Sequence, residues 1–256
     1  PIPYLLSSVG NKLGIFLKVD TGTHRTGIDP SNGDKIKEII KSFRGSKNLE
    51  FQGFLAHSGH TYQARGKAEV EKIFNESGLL LNKLKKEYAP DCLVSVGDTP
   101  SANLMDKYEN VDELRPGNFI FYDIMQLNIG SCSEGDIAVC MAAPIVVKHY
   151  DRDEVILYGG AVHLSKDFII EKNGDKVFGY LVELNDKGWG NVIPGAFVKG
   201  MSQEHGIVKV NDKNHPLMKK NVGDLIGVLP VHSCLTADLL GRYLSLDGEI
   251  IEMMKK

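Results

Sequence analysis

The residues best placed by type and spacing to do chemistry are His232 and Cys234, within Val228-Leu-Pro-Val-His-Ser-Cys-Leu-Thr236. With Ile226, Val228 and Val231 leading into it, the stretch reads as a short buried strand, and residues two apart on a strand share a face. The imidazole and the thiol are then expected to converge. They would be two soft ligands suited to zinc, with coordination positions left for water or substrate. The bland alternative is that a lone His-x-Cys arises by chance and a buried cysteine serves as a small hydrophobe. A metal role therefore needs a site around the pair.

Further reactive side chains fall in four loops. Arg25, beside His24 in Thr21–Gly27, could hold an anion or a ring nitrogen, or simply make a surface ion pair of little worth. His57, His60 and Tyr62 could move a proton or stack on a ring, or be the satisfied polar side chains of an ordinary loop. Gly97-Asp-Thr-Pro-Ser101 opens a helix, so its amides and the dipole end suit a phosphate, although Thr99 before Pro100 is also a plain N-cap. Gly117-Asn118 could add N–H donors, or be a turn after Pro116. Ser202-Gln-Glu-His-Gly206 is a polar cluster whose simplest role is to lead into a hairpin.

The elements that would position these loops follow from periodicity. Leu13–Asp20 alternates as a strand, and Ile36, Ile39, Ile40 and Phe43 mark a helix from Gly33. A second strand over Leu49–Ala56 precedes a long helical stretch from Val70 to Tyr88 that Gly78 could interrupt. A third strand over Cys92–Val96 and a short helix to Tyr108 follow, then a fourth strand over Gly117–Tyr122. Alternating strands and helices predict a parallel sheet or barrel, with the reactive loops along the rim at the strand ends. Beyond Ser131 the helical periods fade. Strand-like runs appear at Ile137–Val147, Val155–Leu164, Phe178–Leu184, Ile207–Val210, Leu225–Val231 and Ile250–Met254. The expected organisation is α/β plus all-β: a partial (β/α) barrel over residues 1–131 and a β-rich domain over residues 132–256 carrying His232 and Cys234.

The 256 residues are 42% apolar and 25% charged with a net charge of -3, an ordinary globular composition that offers no basic face to nucleic acid. No apolar run is long enough for a membrane span. Cys92, Cys132, Cys140 and Cys234 show neither framework spacing nor a Cys-x-x-Cys pair, which argues for a reducing, cytoplasmic setting.

Six stretches, taken in order, resemble the D-serine dehydratase and D-threonine aldolase family, pyridoxal-phosphate enzymes with an alanine racemase-like barrel. They are Lys18-Val-Asp-Thr-Gly-Thr-His-Arg-Thr-Gly27, Ala56-His-Ser-Gly-His-Thr-Tyr62, Val96-Gly-Asp-Thr-Pro100, Leu114-Arg-Pro-Gly-Asn-Phe119, Ser202-Gln-Glu-His-Gly206 and Val231-His-Ser-Cys234. The resemblance implies that Arg25 faces the pyridine nitrogen of pyridoxal 5'-phosphate and that His57 and Tyr62 line the ring. Thr99, Gly117 and Asn118 would hold the phosphate, and His232 and Cys234 would bind zinc. It implies a lyase acting on a D-3-hydroxy amino acid, dehydrating D-serine to pyruvate and ammonia, with retro-aldol cleavage as the runner-up. Cysteine at the second metal position looks more like the dehydratase branch, since the aldolases usually carry aspartate there. A homodimer is also implied.

Two features depart from that pattern. Asp98 stands where a small hydroxyl residue is commoner. Nothing matches the segment carrying the Schiff-base lysine, and Lys18 occupies a different family position. Only about four βα units precede the β-rich part, against the eight of a complete barrel, and the sequence begins at Pro1 without Met. The expectation is a chain lacking the N-terminal part of its barrel, completed by that missing segment or a second copy, or else a catalytically incomplete fragment. A pyridoxal-phosphate-binding protein without turnover and a zinc-containing interaction module are the alternatives from other classes.

Overall fold

The computed structural model describes residues 10–44 and 46–253. It contains two compact units, Pro1–Gly117 and Asn118–Lys256.

In the first unit, β1 (Leu13–Lys18), α1 (Gly33–Arg44), β2 (Leu49–His57), α2 (Lys67–Tyr88), β3 (Leu93–Gly97), α3 (Thr99–Leu104) and β4 (Glu113–Leu114) alternate along the chain. The four strands form one sheet in the order β1-β2-β3-β4, all neighbours parallel. This is what strand–helix alternation requires, because each crossover returns the chain to the end of the sheet at which the previous strand began. Helix α1 buries Ile36, Ile40 and Phe43, and α2 buries Val70, Ile73, Phe74, Leu81 and Leu84, the positions expected from the 3.6-residue period. Gly78 does not interrupt α2; it sits buried within an unbroken 22-residue helix.

The fourth strand differs from expectation. It covers only Glu113–Leu114, while Asn118–Ile120 is a 3-10 turn. Arg115 N makes the last bond to Val96 O, and Pro116 has no N–H with which to continue the ladder. The chain then folds back at Asn118, whose carbonyl accepts from both Phe121 N and Tyr122 N.

The second unit begins at that turn. Residues 118–131, which the sequence grouped with the barrel, pack here: Ile124 belongs to one apolar cluster with Leu229 and Val231, and Ala138 N donates to Phe121 O. After α4 (Ile124–Ile129) come β5 (Met141–His149), β6 (Glu154–Tyr158), the one-turn helix α5 (Ala161–Leu164), and the short pair β7 (Ile169–Ile170) and β8 (Lys176–Val177). Then follow β9 (Gly179–Asn185), β10 (Gly188–Met201), β11 (His205–Val210), α6 (Pro216–Lys219), β12 (Leu225–Pro230), α7 (Ser233–Leu240), β13 (Arg242–Leu244) and β14 (Ile250–Glu252).

Six of these strands close into a barrel in the order β10-β11-β6-β5-β12-β9, antiparallel throughout and filled by residues such as Ile145, Leu157, Leu181, Val198, Val208 and Ile226. The 14-residue β10 escaped the sequence reading because Gly190, Pro194, Gly195 and Gly200 break its alternation; its register slips against both neighbours where it bends. The run expected over Ile250–Met254 is β14, and Met254 lies outside the described residues.

Strand β12 stops at Pro230, so His232 and Cys234 do not lie on a strand. His232 is the N-cap of α7, and Cys234 lies in its first turn. The two-residue period therefore does not govern where their side chains go.

Candidate active-site residues in the two units

The parallel sheet of the first unit delivers its polar side chains at the C-terminal ends of its strands. Lys18 ends β1, His57 ends β2, Gly97 ends β3 and Arg115 follows β4. The loops after β1 and β2 are tied together: Thr23 Oγ1 donates to His57 O (2.8 Å), accepts from Gly59 N (3.0 Å) and lies 3.2 Å from His60 Nδ1. The rings of His57 and Tyr62 face each other at 6.3 Å and 36°. Arg115 reaches across the strand ends, donating to Ser95 Oγ and Ala56 O at 2.7 Å each. Gly97 leaves room for it, since a Cβ there would lie 2.9 Å from Arg115 Nη1.

These groups form a positively charged cluster. Burial lowers the pKa of Lys18, and the charges of Arg25 and Arg115 lower it further against the pull of Asp20. Burial, and then Arg25, hold the His57 imidazole below its usual range despite the nearby Asp98 carboxylate. Both influences favour the neutral imidazole, the form that accepts a proton.

The Gly97–Ser101 turn is more occupied than the sequence suggests. Asp98, rather than Thr99, caps α3: its Oδ1 accepts from Ser101 N (2.7 Å) and from Thr61 Oγ1 (3.0 Å). Thr99 is fully buried, and its amide lies 3.4 Å from Tyr62 Oη. Two amides expected to face a phosphate are thus directed at side chains of the same unit. Gly117 ends this unit, and a Cβ built there would meet open space.

In the second unit, His232 Nδ1 lies 2.7 Å from Asp167 Oδ2, and the Cys234 thiol donates to Asn118 Oδ1 at 3.4 Å. Asn118 is buried and in turn donates through Nδ2 to Asp123 Oδ2. Asp123 also accepts from Ser233 N (3.2 Å), placing a carboxylate at the positive end of α7, and caps α4 through Gln126 N (2.9 Å). Burial, and then the Asp123 charge, push the Cys234 thiol up. Asn118, expected as a phosphate ligand, thus spends its side chain on Asp123 and Cys234. Among the described residues no three His, Cys, Asp or Glu side chains gather as a metal-holding group.

Sequence reasoning missed Asp123 and Asp167. The first had a signal, an aspartate just ahead of an apolar helical run. The second had none, being 65 residues from its partner.

The fold is alanine racemase-like. Residues 5–124 match the family model of the alanine racemase N-terminal domain, and residues 138–246 that of the putative serine dehydratase domain. An alanine racemase-like protein from Idiomarina loihiensis superposes with a TM-score of 0.83 at 24% identity, over 98% of this chain and 66% of its own. D-serine dehydratase of Dictyostelium discoideum is 32% identical over 95% of this chain and 64% of its own length. D-threo-3-hydroxyaspartate dehydratase of Delftia is 26% identical over 94% of this chain and 65% of its own. That enzyme has also been solved as a histidine-to-alanine mutant and, two positions further on, as a cysteine-to-alanine mutant in the metal-free form. The chain is thus similar to D-serine dehydratases along nearly all of its length, and it spans just under two thirds of the length of these two dehydratases. No helix among the described residues is long and apolar enough to cross a membrane.

Proposed function

We propose that this chain carries the cofactor and metal residues of a pyridoxal-phosphate- and zinc-dependent lyase that dehydrates a D-3-hydroxy amino acid, with D-serine as the substrate. The observation that carries the reading is the cationic cluster of Lys18, Arg25 and Arg115 around His57 and Tyr62. It is the donor set an anionic, aromatic cofactor calls for, and it stands at the strand ends where such folds bind ligands. Arg25 would meet the ring nitrogen and His57 and Tyr62 the ring. Thr99 would serve the phosphate through its side chain, because its amide is directed at Tyr62, and Gly117 and Asn118 would serve it through backbone, because the Asn118 side chain is engaged by Asp123 and Cys234.

The residues for zinc also fit. His232 keeps Nε2 free as a ligand when Nδ1–H points at Asp167, and Cys234 adds a soft donor; two protein ligands suit an open, catalytic metal rather than a closed structural one. A histidine and a cysteine two apart, the spacing of the two positions mutated in the Delftia dehydratase, favour dehydration over retro-aldol cleavage. When bound, pyridoxal phosphate supplies an electron sink for charge at Cα, and zinc a Lewis acid for the β-oxygen. The protein's own contribution is to orient these groups and to offer His57, whose neutral form burial favours, as proton acceptor. A homodimer in a reducing compartment completes the reading, consistent with four unpaired cysteines.

Titration with pyridoxal phosphate, followed by cofactor absorbance, tests the first half. Saturable binding that weakens at least tenfold in Arg25→Ala is expected; equal binding by both proteins would sink the assignment. Pyruvate release from D-serine by the zinc- and cofactor-loaded protein, lost in His232→Ala, tests the second. Light scattering reads the oligomer.

A further inference from the structure

Among the described residues, the Asp167 carboxylate meets the His232 ring. The pair sits 2.7 Å apart with side chains 41% and 35% exposed, and a wet ion pair of that kind adds little to stability. Yet the local backbone is strained to present Asp167. Ser165, two residues before it, holds a positive φ of 69°, which costs a serine energy, and its Oγ accepts from Asp167 N at 3.2 Å.

The helix that leads there, α5, is fixed in turn by the Ser202-Gln-Glu-His-Gly206 loop. Ala161 N donates to Ser202 O (3.0 Å) and Val162 N to Gln203 O (3.1 Å). Gly160 permits this approach, since a Cβ there would lie 2.5 Å from His205 N and 2.6 Å from Ser202 O. This polar segment, which joins β10 to β11 and includes the first two residues of β11, has no place among the site residues and thus anchors the turn that carries the carboxylate.

We propose that Asp167 is a positioning residue for the metal, accepting the Nδ1 proton of His232 so that the Nε2 lone pair faces zinc, with Gly160 and the Ser202–Gly206 loop as its support. A carboxylate behind a ligating histidine fixes the tautomer, orients the ring and raises its basicity. The inference rests on the zinc reading above.

Zinc affinity of the purified chain, measured by competition with a chromophoric chelator, tests it alongside melting of the chelator-stripped protein. Asp167→Ala should bind zinc about 10- to 100-fold more weakly. Asp167→Asn, which keeps an acceptor but not the charge, should fall between the two, and melting without metal should not change. Gly160→Ala should weaken zinc in the same direction by displacing α5. If Asp167→Ala binds zinc as tightly as wild type while His232→Ala does not, this inference fails and the zinc reading stands. Equal zinc affinity in wild type and His232→Ala would bring both down.

Discussion

Among the described residues, each unit contains one buried aspartate that caps a short helix, and the two are engaged differently. Asp98 of the first unit and Asp123 of the second are 2% and 1% exposed, and burial raises the pKa of both. Asp98 uses one oxygen, for Ser101 N and Thr61 Oγ1, and leaves Oδ2 buried without a hydrogen-bond partner among the described residues. Asp123 uses both, for Gln126 N on one side and for Asn118 Nδ2 and Ser233 N on the other. A fully paired carboxylate joins elements; a half-paired one caps its helix while carrying an uncompensated charge. Asp123 links three parts of the second unit, the turn at Asn118, α4 and the start of α7. Asp98 holds only the opening of α3 to the loop after β2.

The largest effect should come from Asp123→Ala. It leaves Ser233 N, Gln126 N and Asn118 Nδ2 without their acceptor, and by the cost of breaking a buried charged network it should destabilise the second unit by about 3 kcal/mol. Urea denaturation followed by far-ultraviolet dichroism would show it, and a loss below about 1 kcal/mol, the worth of a single hydrogen bond, would end the contrast. Asp98→Ala should cost only about 1 kcal/mol, the usual worth of an N-cap, because it also removes a poorly compensated buried charge.

Asp98→Asn sharpens the comparison further, since it keeps the Oδ1 cap and discards the charge. A gain of about 0.5 kcal/mol at neutral pH is expected, from the smaller penalty of a neutral buried group. The sign follows from linkage. The raised folded-state pKa means that the folded protein holds the Asp98 proton more tightly than the unfolded chain does. Wild type therefore loses stability as pH rises from the unfolded value of 3.8 through the folded one. The advantage of the Asp98→Asn variant should accordingly vanish below that unfolded value and be complete at neutral pH, which melting at a series of pH values would reveal. A pH-independent difference would contradict it.

The smallest effect concerns His57, near Asp98. Its depressed pKa means that the unfolded chain takes up the proton first, so stability should fall slightly as pH drops from 6.5 through the lowered folded value. An NMR titration should place its midpoint below that of a free histidine, and Arg25→Ala should move it upward; a midpoint at or above 6.5 would refute the shift.

Much of the first unit was legible in the sequence. Leu13–Lys18 and Leu49–His57 alternate, Ile36, Ile40 and Phe43 fall one turn apart, and in a parallel sheet these patterns alone send His57, Gly97 and Arg115 to the same end, that of the strand C-termini. The rim of polar side chains is thus a consequence of topology. What the patterns hid was occupancy: that Asp98 rather than Thr99 would take the cap, and that Asn118 would open the second unit rather than close the first.

For His232 and Cys234 the sequence determined the donor types but not the arrangement. A short apolar stretch ending in Pro230 is compatible with a strand or with a strand giving way to a helix, and local preference decides weakly between them. The choice was made by groups far away in the chain. Asp123 sits at the amide end of α7, Asp167 meets His232 from 65 residues off, and Asn118 meets Cys234 from 116. Hydrogen bonds of that span exist only once the barrel has closed, so only the tertiary structure could decide where the imidazole and the thiol point.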